Sequence, residues 1–192
     1  MANIGGGNGD DLLDGTATAD RINAGAGDDT VNGGAGSDIL YGGSGDDYLN
    51  GGTGTDNITG GVGDDTMTGA EGQDVFRLWF QLNVVTSTGQ DGAPGPAEVT
   101  LLGSEGHDVI TDFDHRLGTG QNDRLDFNGI KAAQYDYLVA TNQITYSHTD
   151  YTGDNNTDMR IDFAGGSLTL SGVTATKIAD LNALKAYIDF DP

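Results

Sequence analysis

Aspartate returns every nine residues from Asp11 to Asp74, and two positions after each one stands an apolar residue. Residues 6 to 77 divide into eight contiguous nonamers with no insertion. Position 6 is Asp11, Asp20, Asp29, Asp38, Asp47, Asp56, Asp65 and Asp74; position 8 is Leu13, Ile22, Val31, Leu40, Leu49, Ile58, Met67 and Phe76. Position 4 is glycine in seven of the eight, Thr18 being the exception. A strict period of this kind marks a stacked-repeat architecture. Each nonamer reads as a six-residue turn and a three-residue strand, because glycine reaches positive φ values that other residues resist. Side-chain alternation then points position 8 inward and positions 7 and 9 outward. Two nonamers complete an 18-residue coil. Successive coils stack by parallel strand pairing about 4.8 Å apart, with odd-numbered turns in one column and even-numbered turns in the opposite one.

One inward side chain per nine residues is too little apolar surface to offset the ordering of so glycine-rich a chain. The charge makes matters worse: 30 acidic residues against 8 Lys plus Arg give a net −22, which repels itself in any compact state. The segment therefore needs a cation. Its ligands are all hard oxygens, Asp carboxylates and bared turn carbonyls, and a flexible oxygen cage suits Ca²⁺ better than octahedral Mg²⁺. Cysteine is absent and the repeats hold no histidine, which argues against zinc and copper. In the stacked geometry each ion would sit between turns i and i+2, held by both position-6 carboxylates and by carbonyls of the two turns. Four turns per column leave three gaps, so about six ions are expected in all. Position 5 adds a pattern at twice the period: Asp10, Asp28, Asp46 and Asp64 in odd repeats, but Ala19, Ser37, Thr55 and Gln73 in even ones. Stronger long-range attraction for calcium is expected on the odd-numbered edge.

The same charge makes nucleic acid and anionic membrane surfaces poor partners. No segment approaches the ~18 apolar residues of a membrane span. The start "MANIGGGNGDD" has neither a basic nor an apolar region, which argues against a Sec-type signal and leaves a fragment of a longer chain or export by another route. No HExxH, GxSxG, CxxC or phosphate-binding loop occurs, and His107, His115 and His148 are isolated. An enzyme is not expected.

The nonamer "GGSGDDYLN" is similar to the repeat-in-toxin (RTX, haemolysin-type) calcium-binding repeat. The resemblance implies an all-β, right-handed parallel β-roll. It also implies calcium ligation by the position-6 aspartates and by carbonyls at positions 2 and 4: Gly7 and Gly9, Gly25 and Gly27, Gly34 and Gly36, Gly43 and Gly45, Gly52 and Gly54, Gly61 and Gly63. The second repeat, "GTATADRIN", departs from the pattern by placing Thr16 and Thr18 where glycine is wanted.

From residue 78 the period stops, dividing the chain into a roll, 1–77, and a C-terminal capping domain, 78–192. "VFRLWFQLNVV" reads as a long strand, "HDVITDF", "DRLDF", "MRIDF" and "SLTLSGV" as short ones, and the Gly-Gly at 165–166 as a hairpin turn. Ile178, Leu181, Leu184 and Ile188 have helical spacing, predicting a short terminal helix over 176–188. "GQD" followed by "DVITDF" and "DRLDF" resembles the cap of secreted RTX proteins such as the serralysin proteases, in which the matching acids, here Asp91 and Asp108, complete one more calcium site. Asp112 reads as a turn or pairing residue, and "DYTGDNNTD" as a weak candidate for a separate site at Asp154, Asn156 and Asp158. The ending "YIDFDP" resembles an uncleaved type I secretion signal. These likenesses imply a monomeric, secreted, extracellular protein, exported by type I machinery and folding on calcium, alone or beside an upstream domain. The alternative is a polysaccharide-binding accessory module like those of alginate epimerases, for which Arg21, Arg77, Tyr41 and Tyr48 are the outward candidates.

Overall fold

The computed structural model describes residues 1–79, 82–88, 94–101, 106–113, 123–128, 130–149, 157–163, 166–171, 173 and 178–190. After a leading strand β1 (Asn3–Gly5), the repeats fold as eight short strands on two opposite sheets: β2 (Leu12–Asp14), β3 (Arg21–Ala26), β4 (Thr30–Asn32), β5 (Ile39–Ser44), β6 (Tyr48–Gly54), β7 (Asn57–Val62), β8 (Thr66–Gly72) and β9 (Val75–Trp79). Odd-numbered strands pair with odd and even with even, all parallel. The register is one coil, 18 residues: Ile22 faces Leu40, Leu40 faces Ile58 and Ile58 faces Phe76, while Leu13, Val31, Leu49 and Met67 align on the other sheet. From Ile22 to Phe76 every position-8 residue is fully buried, whereas Leu13 in the first coil is half-buried. This is the parallel β-roll that the period requires.

Beyond residue 79 come β10 (Leu82–Thr88) and β11 (Pro94–Leu101), an antiparallel pair apart from both sheets. The two sheets nevertheless continue. β12 (His107–Ile110) adds to β8 with Ile110 opposite Met67, and β13 (Arg124–Asn128) adds to β9 with Leu125 opposite Phe76. Ile110 and Leu125 are fully buried, so each extends a column of inward residues. The nine-residue pattern thus recurs, displaced by an insertion, in "GSEGHDVIT" and around Asp123.

The remaining elements are α1 (Ala132–Ala140), β14 (Ile144–Thr149), β15 (Asp158–Phe163), β16 (Gly166–Leu170), α2 (Leu181–Leu184), a 3₁₀ turn (Lys185–Tyr187) and β17 (Ile188–Phe190). β16 continues the even-strand sheet parallel to β12, with Leu168 opposite Asp108, and the hairpins to β15 and β14 finish it. β17 finishes the other sheet against β13, with Ile188 opposite Leu125. Phe76, Phe113 and Tyr187 form a chain of ring contacts at the roll's end, and Tyr135 of α1 donates its hydroxyl to the Leu181 carbonyl at 3.0 Å.

Two helix expectations change. The predicted helix over 176–188 is only 181–184 plus the 3₁₀ turn. Asp180 caps its start by accepting from the Ala183 N–H at 2.8 Å, and Ile188 is taken by the sheet. α1 was not predicted. The Gln134 side chain accepts from the Lys131 N–H at its start, and Tyr135 and Leu138 bury its inner face.

Candidate calcium sites

The position-6 carboxylates form two polar ladders. Each Oδ1 accepts the backbone N–H of the position-6 residue one coil earlier. In the odd column these bonds run Asp11 to Asp29 at 2.7 Å, Asp29 to Asp47 at 2.8 Å and Asp47 to Asp65 at 2.9 Å. In the even column they run Ala2 to Asp20 at 2.6 Å, Asp20 to Asp38 at 2.6 Å, Asp38 to Asp56 at 2.7 Å and Asp56 to Asp74 at 2.9 Å. The ladders do not end with the repeats. Asp65 donates to Asp108 Oδ1 at 3.2 Å, and Asp74 donates to Asp123 Oδ1 at 3.0 Å.

The second oxygen carries the chemistry. The Oδ2 atoms of Asp29, Asp38, Asp47, Asp56 and Asp65 are buried and accept no hydrogen bond, although these residues are at most 2% exposed. A buried ionised oxygen without a partner is costly, so each calls for a positive partner. Each Oδ2 lies inside its own turn: a Cβ built on Gly42 would overlap Asp47 Oδ2, and one on Gly60 would overlap Asp65 Oδ2. Burial, helped by the like charge of the preceding aspartate in the column and, for Asp74, of Asp123 as well, raises Asp47 and Asp56 to about 6 and Asp65 and Asp74 to about 7. Asp38 is raised for the same reasons.

The turns themselves are built to bare carbonyls. Gly25, Gly27, Gly34, Gly36, Gly43, Gly45, Gly52, Gly54, Gly61 and Gly63 all have positive φ. At Gly43, φ is +124° and an added Cβ would overlap the carbonyl oxygen of Gly25, so the position tolerates no side chain. Position-2 carbonyls also serve the stack: those of Gly7, Thr16 and Gly34 accept from Ala26, Ala35 and Thr53 at 2.9–3.0 Å, each keeping a second lone pair. The site is therefore one orphaned carboxylate oxygen among turn carbonyls. Among the described residues no group of three or more His, Cys, Asp or Glu converges on a point. A hard cation with many oxygen ligands, several of them carbonyls, fits that donor set.

The first two turns differ. Gly7 and Gly9 are not in the left-handed region, and Asp11 Oδ2 accepts from the Gly7 N–H at 2.6 Å. Asp20 Oδ2 accepts from the Thr16 hydroxyl at 2.6 Å and the Thr16 N–H at 2.7 Å. The Thr16 hydroxyl leads in holding the Asp20 carboxyl below its ordinary range. Neither carboxylate is orphaned, as befits turns with no earlier turn in their column.

Of the other candidates, Asp108 takes its place in the odd column, and Asp91, His115, Asp154 and Asn156 lie outside the described residues. Asp112 pairs: its two oxygens accept from the Gly69 and Ala70 N–H groups at 2.9 and 2.7 Å where the chain leaves the roll. Asp158 is fully buried in β15. His107 Nδ1 lies 2.9 Å from Ser167 Oγ and His148 Nε2 lies 3.0 Å from the Ile178 carbonyl, so both are held structurally. Asp123 was missed. Its signal was an Asp two residues before an inward Leu125, hidden because 49 residues, rather than 18, separate it from Asp74.

Comparison with known proteins agrees with the repeats. The family described as RTX calcium-binding nonapeptide repeat (4 copies) matches residues 5–40 and again 41–76. No curated protein sequence matches the chain. Among solved structures it is similar to the solution structure of the AlgE6R3 subunit from the Azotobacter vinelandii mannuronan C5-epimerase. The identity is 24% and the TM-score 0.34, over 96% of this chain and 80% of that one. Residues 5–76, 72 of the chain's 192, thus match the RTX calcium-binding nonapeptide repeat from end to end.

Proposed function

We propose that this chain is a calcium-dependent folding module of a type I secreted exoprotein. The observation that carries the reading is the row of buried, partnerless Oδ2 atoms from Asp29 to Asp65. A stack with these charges left uncompensated is unfavourable, and cations that bind only the native state stabilise it by mass action. Where calcium is scarce the repeats stay unfolded and exportable; where it is millimolar they fold. About six ions in the roll, through Asp29, Asp38, Asp47, Asp56, Asp65 and Asp74 with the turn carbonyls, and one more at Asp108, fit this role. Residues 78–192 would act as cap and carry the export signal. The test is far-UV circular dichroism and hydrodynamic radius of the full chain in calcium, in magnesium and in chelator. At pH 8, compaction with strand signal in calcium alone is expected; a roll that persists in chelator at that pH overturns the reading.

A second reading, a polysaccharide-binding accessory module, draws support from one face. The outward positions of β3, β5, β7 and β9 within the repeats are Arg21, Asn23, Ile39, Tyr41, Asn57, Val75 and Arg77, together with Thr59, which is buried, and there is no acid among them. The Arg21 guanidinium stacks 4.9 Å from the Tyr41 ring centre, whereas Tyr48 lies on the opposite sheet and Arg77 is paired with Asp126. Binding to neutral and uronate polysaccharides at constant calcium tests it: retention lost in Arg21→Ala and Tyr41→Ala supports it, and no retention overturns it.

A further inference from the structure

The two edges of the roll are tied differently. On the odd edge each position-5 carboxylate accepts the position-5 N–H of the next coil: Asp10 from Asp28 at 3.0 Å, Asp28 from Asp46 at 3.0 Å, Asp46 from Asp64 at 2.8 Å, and Asp64 from His107 at 2.9 Å. These bonds reach forward along the chain, whereas the position-6 bonds reach back. Among the described residues the even edge offers only one counterpart, Thr55 N–H to Ser37 Oγ at 3.4 Å. The forward-reaching carboxylates sit close: a Cβ on Gly45, Gly63 or Gly106 would lie 3.0 Å from the Oδ1 of Asp28, Asp46 or Asp64. They therefore border the same turns whose next residues, Asp29, Asp47 and Asp65, hold the orphaned Oδ2 atoms.

We infer that the roll carries two classes of calcium site, and that the odd-numbered edge, fixed and charged by Asp10, Asp28, Asp46 and Asp64, is the one of higher affinity. The inference rests on the calcium reading of the same turns. Two position-5 carboxylates border each odd gap. They are solvent-exposed, so each strengthens attraction of a divalent ion only a few-fold, and the pair about tenfold. The even gaps, bordered by Ala19, Ser37, Thr55 and Gln73, gain nothing of the kind. Because the added attraction acts through solvent, salt should weaken odd-edge binding more.

The test is equilibrium dialysis of the full chain against fixed free calcium, at low and high salt. The triple change Asp28→Asn, Asp46→Asn and Asp64→Asn keeps a side-chain acceptor for each N–H and removes only charge; it should raise half-saturation about tenfold and flatten the salt dependence. Ser37→Asn with Thr55→Asn should leave half-saturation within about twofold. Ser37→Asp with Thr55→Asp, which keeps every native acid, should tighten binding. An unchanged half-saturation in the triple variant, or no tightening with the added aspartates, overturns the inference while leaving calcium-driven folding intact. A wild-type chain that binds no calcium would instead sink the reading on which it rests.

Discussion

The Asp74 backbone N–H donates to the Asp123 carboxylate at 3.0 Å, joining the last uninterrupted repeat to a strand 49 residues later. Both groups are almost wholly buried. Asp123→Ala would leave the Asp74 N–H without its acceptor, a loss of about 1.5–3 kcal/mol for a bond to a charged group. In saturating calcium the melting temperature should fall by roughly 3–10 °C, with Asp123→Asn falling less. An alanine variant that melts with the wild type would show that this rung contributes nothing.

Ala70 occupies position 2 of the eighth repeat with φ at +68°, where five earlier repeats place a left-handed glycine. A Cβ in that region costs about 1–2 kcal/mol, partly offset by the greater unfolded-state freedom of glycine. Ala70→Gly should therefore stabilise the calcium-loaded protein by about 0.5–1 kcal/mol. Gly43→Ala should do the reverse and more severely, since its Cβ would collide with the Gly25 carbonyl. Denaturant midpoints in excess calcium read both.

Asp47, Asp56, Asp65 and Asp74 have folded-state values raised to about 6 or 7, above the ordinary carboxyl range. Between about pH 4 and 7 the metal-free fold binds more protons than the unfolded chain, so its stability falls as pH rises through that window. In chelator, strand signal should be greater at pH 5 than at pH 8. Calcium should abolish the difference at pH 8 and bind more weakly at pH 5, where protons compete for the same oxygens. Circular dichroism across pH, with and without calcium, checks the sign.

Ile58 is fully buried between Leu40 and Phe76 in the sheet register, and each strand from β3 to β9 contributes one such side chain. Ile58→Ala should cost about 2–5 kcal/mol in calcium. Ile39→Ala, on the outward face next to Leu40, should cost much less. Thermal melts of the two variants compare them.

The roll was legible because its period fixes turn, strand, inward face and column together, from Asp11 through Phe76. What stayed hidden was the continuation. Ile110 and Leu125 occupy the same inward columns, yet the β10–β11 insertion breaks the phase by which a repeat is seen. The orphaned state of Asp29 to Asp65 was legible only as a demand for cations, whereas the self-satisfied state of Asp11 and Asp20 depends on the geometry of Gly7 and Thr16. α1 escaped notice because Tyr135 and Leu138 bury one face of a short helix that lacks a longer apolar stripe.

Opposite Asp108, where the odd ladder would take its next carboxylate, β16 places Leu168. The side chain of leucine can neither accept an N–H nor offer an oxygen to a cation. The array therefore carries its own stop mark. The odd column of carboxylates thus meets one apolar residue in register at its carboxyl-terminal end, while the even column runs on to Asp123.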